Sequence, residues 1–392
     1  MPDPYAMAPF IDPAGLLTFW QREYLEGYIS QGGGTVKWLR GREGSGKSRF
    51  LAALSERALE LRYLTAHADA GSGSLGRFDD FYHAMMAQVS IDDIAQAVAR
   101  AAAHRIGAAS WHPAAGTTVE EYLREEGRPS TAIQDDLARS LDFLYENRNV
   151  DAPVAAAARR LAMPYVAQSE SALRQADTAA RWLRGERLRA GERRQTGIYL
   201  ALDRYSARDV LRSILHLLQL IHIPGMIWTV DRLETLLAKR GVQALGSLSG
   251  ESSLPSVHYT ALRRLDAYEG IRELIDEGGG LPGLMIVYAG RPEVFEDERA
   301  GLVTYPALAM RVQTEIDADA INLFNDVQDL DRLWQSRWPE HQEALIEAYA
   351  ADGGLETLDL SGVLSSTSVS PVRRLVEWLM SHSAGREEEA HA

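Results

Sequence analysis

The chain has 392 residues, 46% of them hydrophobic and 24% charged, an ordinary balance for a globular protein, and a net charge of −14. It contains no cysteine, which excludes disulfides, thiolate metal sites and cysteine nucleophiles and fits a reducing, cytoplasmic setting. The acidic balance argues against generic nucleic-acid binding, the start Met1-Pro2-Asp3-Pro4 lacks a signal peptide's basic and apolar regions, and the apolar stretch 214–230 is interrupted by His216, Gln219, His222 and Pro224 before it reaches membrane-spanning length.

Residues 12–30 read as a helix leading into the fold. Gly32-Gly33-Gly34 then turns into a first strand, Thr35 to Leu39. Directly after it stands Gly41-Arg42-Glu43-Gly44-Ser45-Gly46-Lys47-Ser48, a complete GxxxxGK[ST] phosphate-binding loop (Walker A). Arginine supplies all but three of the 41 basic residues, and Lys47 is one of those three. A compact ammonium reaches the β- and γ-phosphates from a tight loop, whereas a planar guanidinium is larger and forked. Glycines let backbone N–H groups turn inward, and the apolar helix from Arg49 to Leu54 adds its positive N-terminal end. The expected nucleotide contacts are Gly41, Glu43, Gly44, Ser45, Gly46, Lys47, Ser48 and Arg49, with ATP as ligand. Ser48 supplies the hydroxyl expected on Mg2+.

Leu61 to Ala66 reads as a second strand, followed by the Gly/Ser-rich loop 70–74. From 78 to 222 the apolar spacing is three and four, with Ala-rich stretches, and predicts a helical segment. Two apolar runs then read as buried parallel strands: Met226 to Asp231 and Leu284 to Gly290. A helical pattern at 258–277 lies between them. A last short strand is expected near 312–316, followed by helices at 321–337, 340–350 and 371–382 and a disordered acidic tail through Glu387-Glu388-Glu389. Trp182, Trp334, Trp338 and Trp378 fall on helical patterns and read as packing residues.

Ile227 to Asp231, four apolar or neutral residues ending in an acid, form a Walker B pattern. Asp231 and Ser48 are the expected metal residues. The next residue is Arg232, where many P-loop ATPases place a water-polarising Glu; Arg cannot accept a proton. Glu234, two residues on, is the candidate substitute, and its direction depends on whether the strand continues or a helix begins. Arg291, after the fourth strand, stands where a γ-phosphate sensor would. Arg311 is a candidate arginine finger reaching a neighbour's nucleotide in a homo-oligomer, and Arg373 a candidate lid residue touching nucleotide. Neither HExxH nor GxSxG occurs. Arg181, Arg184, Arg187, Arg189, Arg193 and Arg194 form a basic run with Glu186 and Glu192 interspersed; it reads as a solvated helix face or as a DNA contact.

Beyond the phosphate loop, five stretches carry a family resemblance: 180–186 (Ala-Arg-Trp-Leu-Arg-Gly-Glu), 224–234, 264–276, 281–297 and 305–311. With them the chain resembles the AAA+-like ATPases of bacterial BREX bacteriophage-exclusion systems, the BrxC/BrxD family. The resemblance implies an ATPase inside a multi-protein system that protects the cell from phage DNA, with other defence proteins and DNA as partners. The family's pattern at Walker B is Asp-Glu-x-Glu, whereas this chain reads Asp231-Arg232-Leu233-Glu234, which puts hydrolysis rather than binding in question.

The expected fold is α/β: a P-loop NTPase (AAA+-like) parallel sheet core with a helical insertion and a C-terminal helical lid. The core is expected at 1–77 and 223–318, the insertion at 78–222, and the lid and tail at 319–392. Three roles stay open: an ATP-hydrolysing switch or motor, a nucleotide-gated scaffold with weak or absent hydrolysis, and a DNA-binding adaptor.

Overall fold

The computed structural model describes residues 10–237, 259–312, 321–349 and 369–379. Five parallel strands form one sheet: β1 (Thr35–Arg40), β2 (Leu64–Asp69), β3 (Met226–Asp231), β4 (Leu284–Gly290) and β5 (Val327–Asp329), in the order β2-β3-β4-β1-β5. β3 and β4 are buried at every position, which is why they read as continuous apolar runs, while β2 at the edge exposes His67.

Side-chain alternation splits these strands between two cores. Met226, Trp228 and Val230 of β3, with Leu284, Ile286 and Tyr288 of β4, face one side. They share a continuous apolar cluster there with helices between β2 and β3, among them Phe78–Met86, Ile91–Arg105, Ala152–Val166 and Ser206–Leu220. Ile227, Met285, Val287 and Ala289 face the other side. There they meet Leu16–Trp20, the helix Lys47–Glu60, Leu330–Ser336 and residues 371–379. The helical segment after β2 is thus packed directly on the sheet: the Phe81 ring stands edge-on to Trp228 at 5.6 Å.

The entry helix starts regularly at Leu16–Trp20 and widens to i→i+5 winding over Gln21–Ile29. At the N-terminal ends of the strands the backbone closes tightly. Leu64 N donates to Gly225 O, Met226 N to Gly283 O and Gly283 N to Gly33 O. Gly225 has φ +151, and a Cβ there would stand 1.9 Å from the Gly283 carbonyl oxygen, so only glycine fits.

The chain after 320 departs from expectation. The fifth strand lies at Val327–Asp329, inside the stretch 321–337 read as helix, and only Leu330–Ser336 of that stretch is helical. The strand expected near 312–316 falls at 313–316 outside the described residues, as does the acidic tail. Three residues of Val-Gln-Asp are too short for a periodic signal, and tertiary contacts place them. Trp38 N donates to Asp326 O, and the buried Lys37 ammonium donates to Phe324 O at 2.9 Å and Asp326 Oδ1 at 2.8 Å. The ammonium also lies 4.6 Å from the Tyr24 ring centroid. No described helix is long and apolar enough to cross a membrane.

Candidate nucleotide site

Parallel register brings the C-terminal ends of β1, β3 and β4 to one edge. Arg40 lies opposite Gly290, Val230 opposite Tyr288, and Asp69 of β2 opposite Asp231. The phosphate loop, Asp231 and Arg291 therefore share one rim, where ligands of open α/β sheets bind.

The loop from β1 to Lys47–Glu60 depends on two left-handed glycines, Gly44 at φ +77 and Gly46 at φ +89. A Cβ on Gly41 would stand 2.3 Å from Ser45 Oγ, so that glycine is fixed by close packing. Trp334 Nε1 donates to Ser45 O at 2.9 Å, and Asp331 accepts from Arg42 N at 2.7 Å. Lys47 is buried, and its ammonium donates to the loop's own carbonyls, Gly41 O at 2.7 Å and Arg42 O at 2.9 Å. Desolvation pulls its pKa below the usual lysine range, opposed chiefly by the charges of Glu234 and Asp231.

Ser48 donates to Asp231 Oδ2 at 2.5 Å. A hydroxyl and a carboxylate in contact on this rim fit the donor set of Mg2+, which takes oxygen ligands and keeps several waters. Asp231 Oδ1 accepts from Arg232 N at 2.7 Å, which orients the carboxylate.

Arg232 follows Asp231 directly at the end of β3. Its backbone has φ +60, and its guanidinium turns to Asp69 at the end of β2, 2.9 Å away. Short helical winding over Leu233–Leu237 starts at once, so the strand does not continue to Glu234. Glu234 Oε1 lies 3.5 Å from Arg291 Nε, and Oε2 is buried with no hydrogen-bond partner among the described residues. Of the charges around Lys47, Glu234 exerts the largest effect on its pKa. The carboxylate is thus held beside the phosphate loop with one oxygen unused.

Glu43 and Arg373 complete the rim. Glu43 accepts from Arg291 Nη2 at 2.6 Å and from Arg373 Nη1 at 3.1 Å, and its carbonyl accepts from Ser370 N at 2.9 Å. Residues 369–379 therefore rest on the loop, and Arg373 also pairs with Glu377 at 2.7 Å. Arg49 sits on the first turn of Lys47–Glu60, half-buried.

Arg311 belongs to a different group. It binds Asp276, with Nη2–Oδ2 at 3.0 Å, in a network with Glu269, Arg272 and Tyr305. The basic run 181–194 is partly neutralised: Arg181 donates to Glu186 at 2.9 Å and to Glu192 at 2.8 Å, while Arg187, Arg189 and Arg194 are exposed.

Asp69 and Asp331 escaped the sequence reading. Asp69 had a signal, an acid at the end of an apolar strand, lost because that strand was ended at Ala66. Asp331 had none, since nothing local ties it to Arg42, 289 residues away.

Residues 23–244 and 257–362 match the family of the BREX system ATP-binding protein BrxC/D. The chain belongs to that family. No curated protein and no solved structure matches it. Membership makes the chain part of a multi-protein BREX system, with an antiphage role and ATP binding implied by the family.

Proposed function

We propose that this BREX family member binds MgATP at the rim formed by Gly41–Ser48, Asp231 and Arg291 and hydrolyses it slowly as a switch for its partner proteins. The observation that carries the reading is the placement of Glu234: a carboxylate oxygen is buried near Lys47 and has no hydrogen-bond partner among the described residues. That is a base awaiting a water. Ser48 and Asp231 would hold Mg2+, whose charge supplies polarisation of the phosphate oxygens when bound. Lys47 would exchange the Gly41 and Arg42 carbonyls for phosphate. Glu234 would orient water and take its proton, and Arg291 would hold terminal charge. The strand order, the helices between β2 and β3 and the segment 369–379 on the loop support the AAA+-like reading of the fold. A homo-oligomer using Arg311 in trans would require its release from Asp276.

The test is MgATP binding and steady-state turnover beside Lys47→Ala. Both activities are expected in the native chain and neither in the variant. Turnover that survives in Lys47→Ala would remove the assigned site, and binding without turnover would leave a nucleotide-gated scaffold.

A second reading, contact with DNA, is favoured by one observation. Exposed Arg187, Arg189 and Arg194 precede the exposed rings of Tyr199 and Tyr205, and Arg204 lies over the Tyr205 ring at 4.5 Å. Interleaved guanidinium and aromatic faces suit a nucleic-acid backbone and unstacked bases.

A further inference from the structure

We propose that the Glu43 carboxylate is a built-in competitor of the terminal phosphate, and that it sets how strongly the site prefers a nucleoside triphosphate to a diphosphate. The inference rests on the nucleotide reading of the rim.

Glu43 lies four residues before Lys47, within the phosphate loop itself. Its two oxygens accept from two arginines of distant elements. Arg291 follows β4, with Nη2–Oε2 at 2.6 Å; Arg373 sits in residues 371–379, with Nη1–Oε1 at 3.1 Å. Arg373 lies close over the loop: a Cβ on Gly44 would stand 2.3 Å from the Arg373 Cβ. The backbone closes the same contact through Ser370 N and Glu43 O. Two guanidinium groups converging on one anion form a recognition geometry for phosphoryl oxygens, and a carboxylate is its singly charged mimic. Arg291 also reaches Glu234 at 3.5 Å, so this anion site borders the carboxylate assigned to water.

The consequence is an exchange. A nucleotide with a terminal phosphate offers the arginine pair more negative charge than Glu43 does, and displaces it. A diphosphate does not reach the pair and leaves Glu43 in place. The triphosphate therefore loses part of its binding energy to breaking two ion pairs, and the diphosphate loses none.

The experiment is titration calorimetry of the full chain and Glu43→Gln with a magnesium-bound non-hydrolysable ATP analogue and with MgADP. The variant is expected to bind the analogue about three- to tenfold more tightly, the scale of two half-exposed ion pairs, and MgADP within about twofold of the native chain. In an Arg291→Ala, Arg373→Ala background the gain should vanish. Equal gains for both ligands, no gain, or a gain that persists without the arginines would overturn the proposal. If Glu43→Gln lowers the melting temperature, Glu43→Asp, which keeps the charge but shortens the reach, is expected to show a smaller gain with the same selectivity; loss of affinity for both ligands counts against the proposal. A native chain that binds neither ligand would overturn the nucleotide reading itself, a result distinct from unchanged selectivity.

Discussion

Arg232 and Glu234 both follow the end of β3, and backbone geometry sends their side chains to different partners. A non-glycine residue at φ +60 is costly unless its surroundings hold it there. Here Asp69 accepts from the Arg232 side chain, and the Arg232 carbonyl accepts from Thr235 N at 3.0 Å and Thr235 Oγ1 at 2.8 Å. The left-handed residue stops β3 at Asp231 and lets the next turn carry Glu234 back toward the phosphate loop. Glu234→Gln should keep nucleotide affinity and cut turnover by roughly 10²–10⁴, the contribution of a general base. Arg232→Ala should change turnover only a few-fold, because its side chain serves Asp69. Single-turnover rates at saturating MgATP separate the two; a larger loss from Arg232→Ala would reverse the assignment.

Among the elements, the helix Ala261–Asp276 is tied to the segment that follows β4 by charge as well as by packing. Arg272 donates to Glu269 at 2.6 Å, Tyr305 donates to the same carboxylate, and Arg311 holds Asp276. Arg272 first and Tyr305 second pull the Glu269 pKa down from 4.5 to about 2. A depressed carboxylate stabilises the fold while it is ionised in both states. Its contribution is full above about pH 4.5 and fades as the pH falls toward 2. Glu269 is partly exposed, so solvent screening keeps the effect modest. Urea midpoints of the native chain and Glu269→Gln should differ at pH 6 and converge toward pH 2. A gap that stays constant over that window would assign the loss to packing instead of charge.

Across the whole molecule, a net charge of −14 opposes a nucleic-acid partner, while the exposed arginines before Tyr199 would favour one locally. The balance is measurable. If Arg187, Arg189 and Arg194 neutralise three phosphates, log affinity should fall against log salt with a slope of about −2 to −3. Replacing all three by Gln should flatten that slope, and binding that is absent or insensitive to salt removes the DNA reading. The same large-scale view sets the role of the helices between β2 and β3. They share an apolar cluster with Trp38, Trp228 and Tyr288 of the sheet, so they pack directly on the strands whose ends carry Asp231 and Arg291.

The sequence by itself determined the local chemistry: the phosphate loop, the apolar strands ending at Asp231 and Gly290, the helical segment between β2 and β3, and the family. The loop, strands and helices are contiguous patterns whose periodicity or spacing is set by backbone geometry, and the family is read from local stretches, so no distant contact is needed for either. Only tertiary structure decided what depends on separated residues. It placed a three-residue strand at Val327–Asp329 against β1, where a helical period had been read through it. It turned Arg232 toward Asp69 and Glu234 toward Lys47, through a single positive φ that arginine gives no sign of adopting. It also brought Glu43, Arg291 and Arg373 onto one point from three parts of the chain. Pairing between charges hundreds of residues apart is set by how the elements pack, and no one-dimensional pattern encodes it.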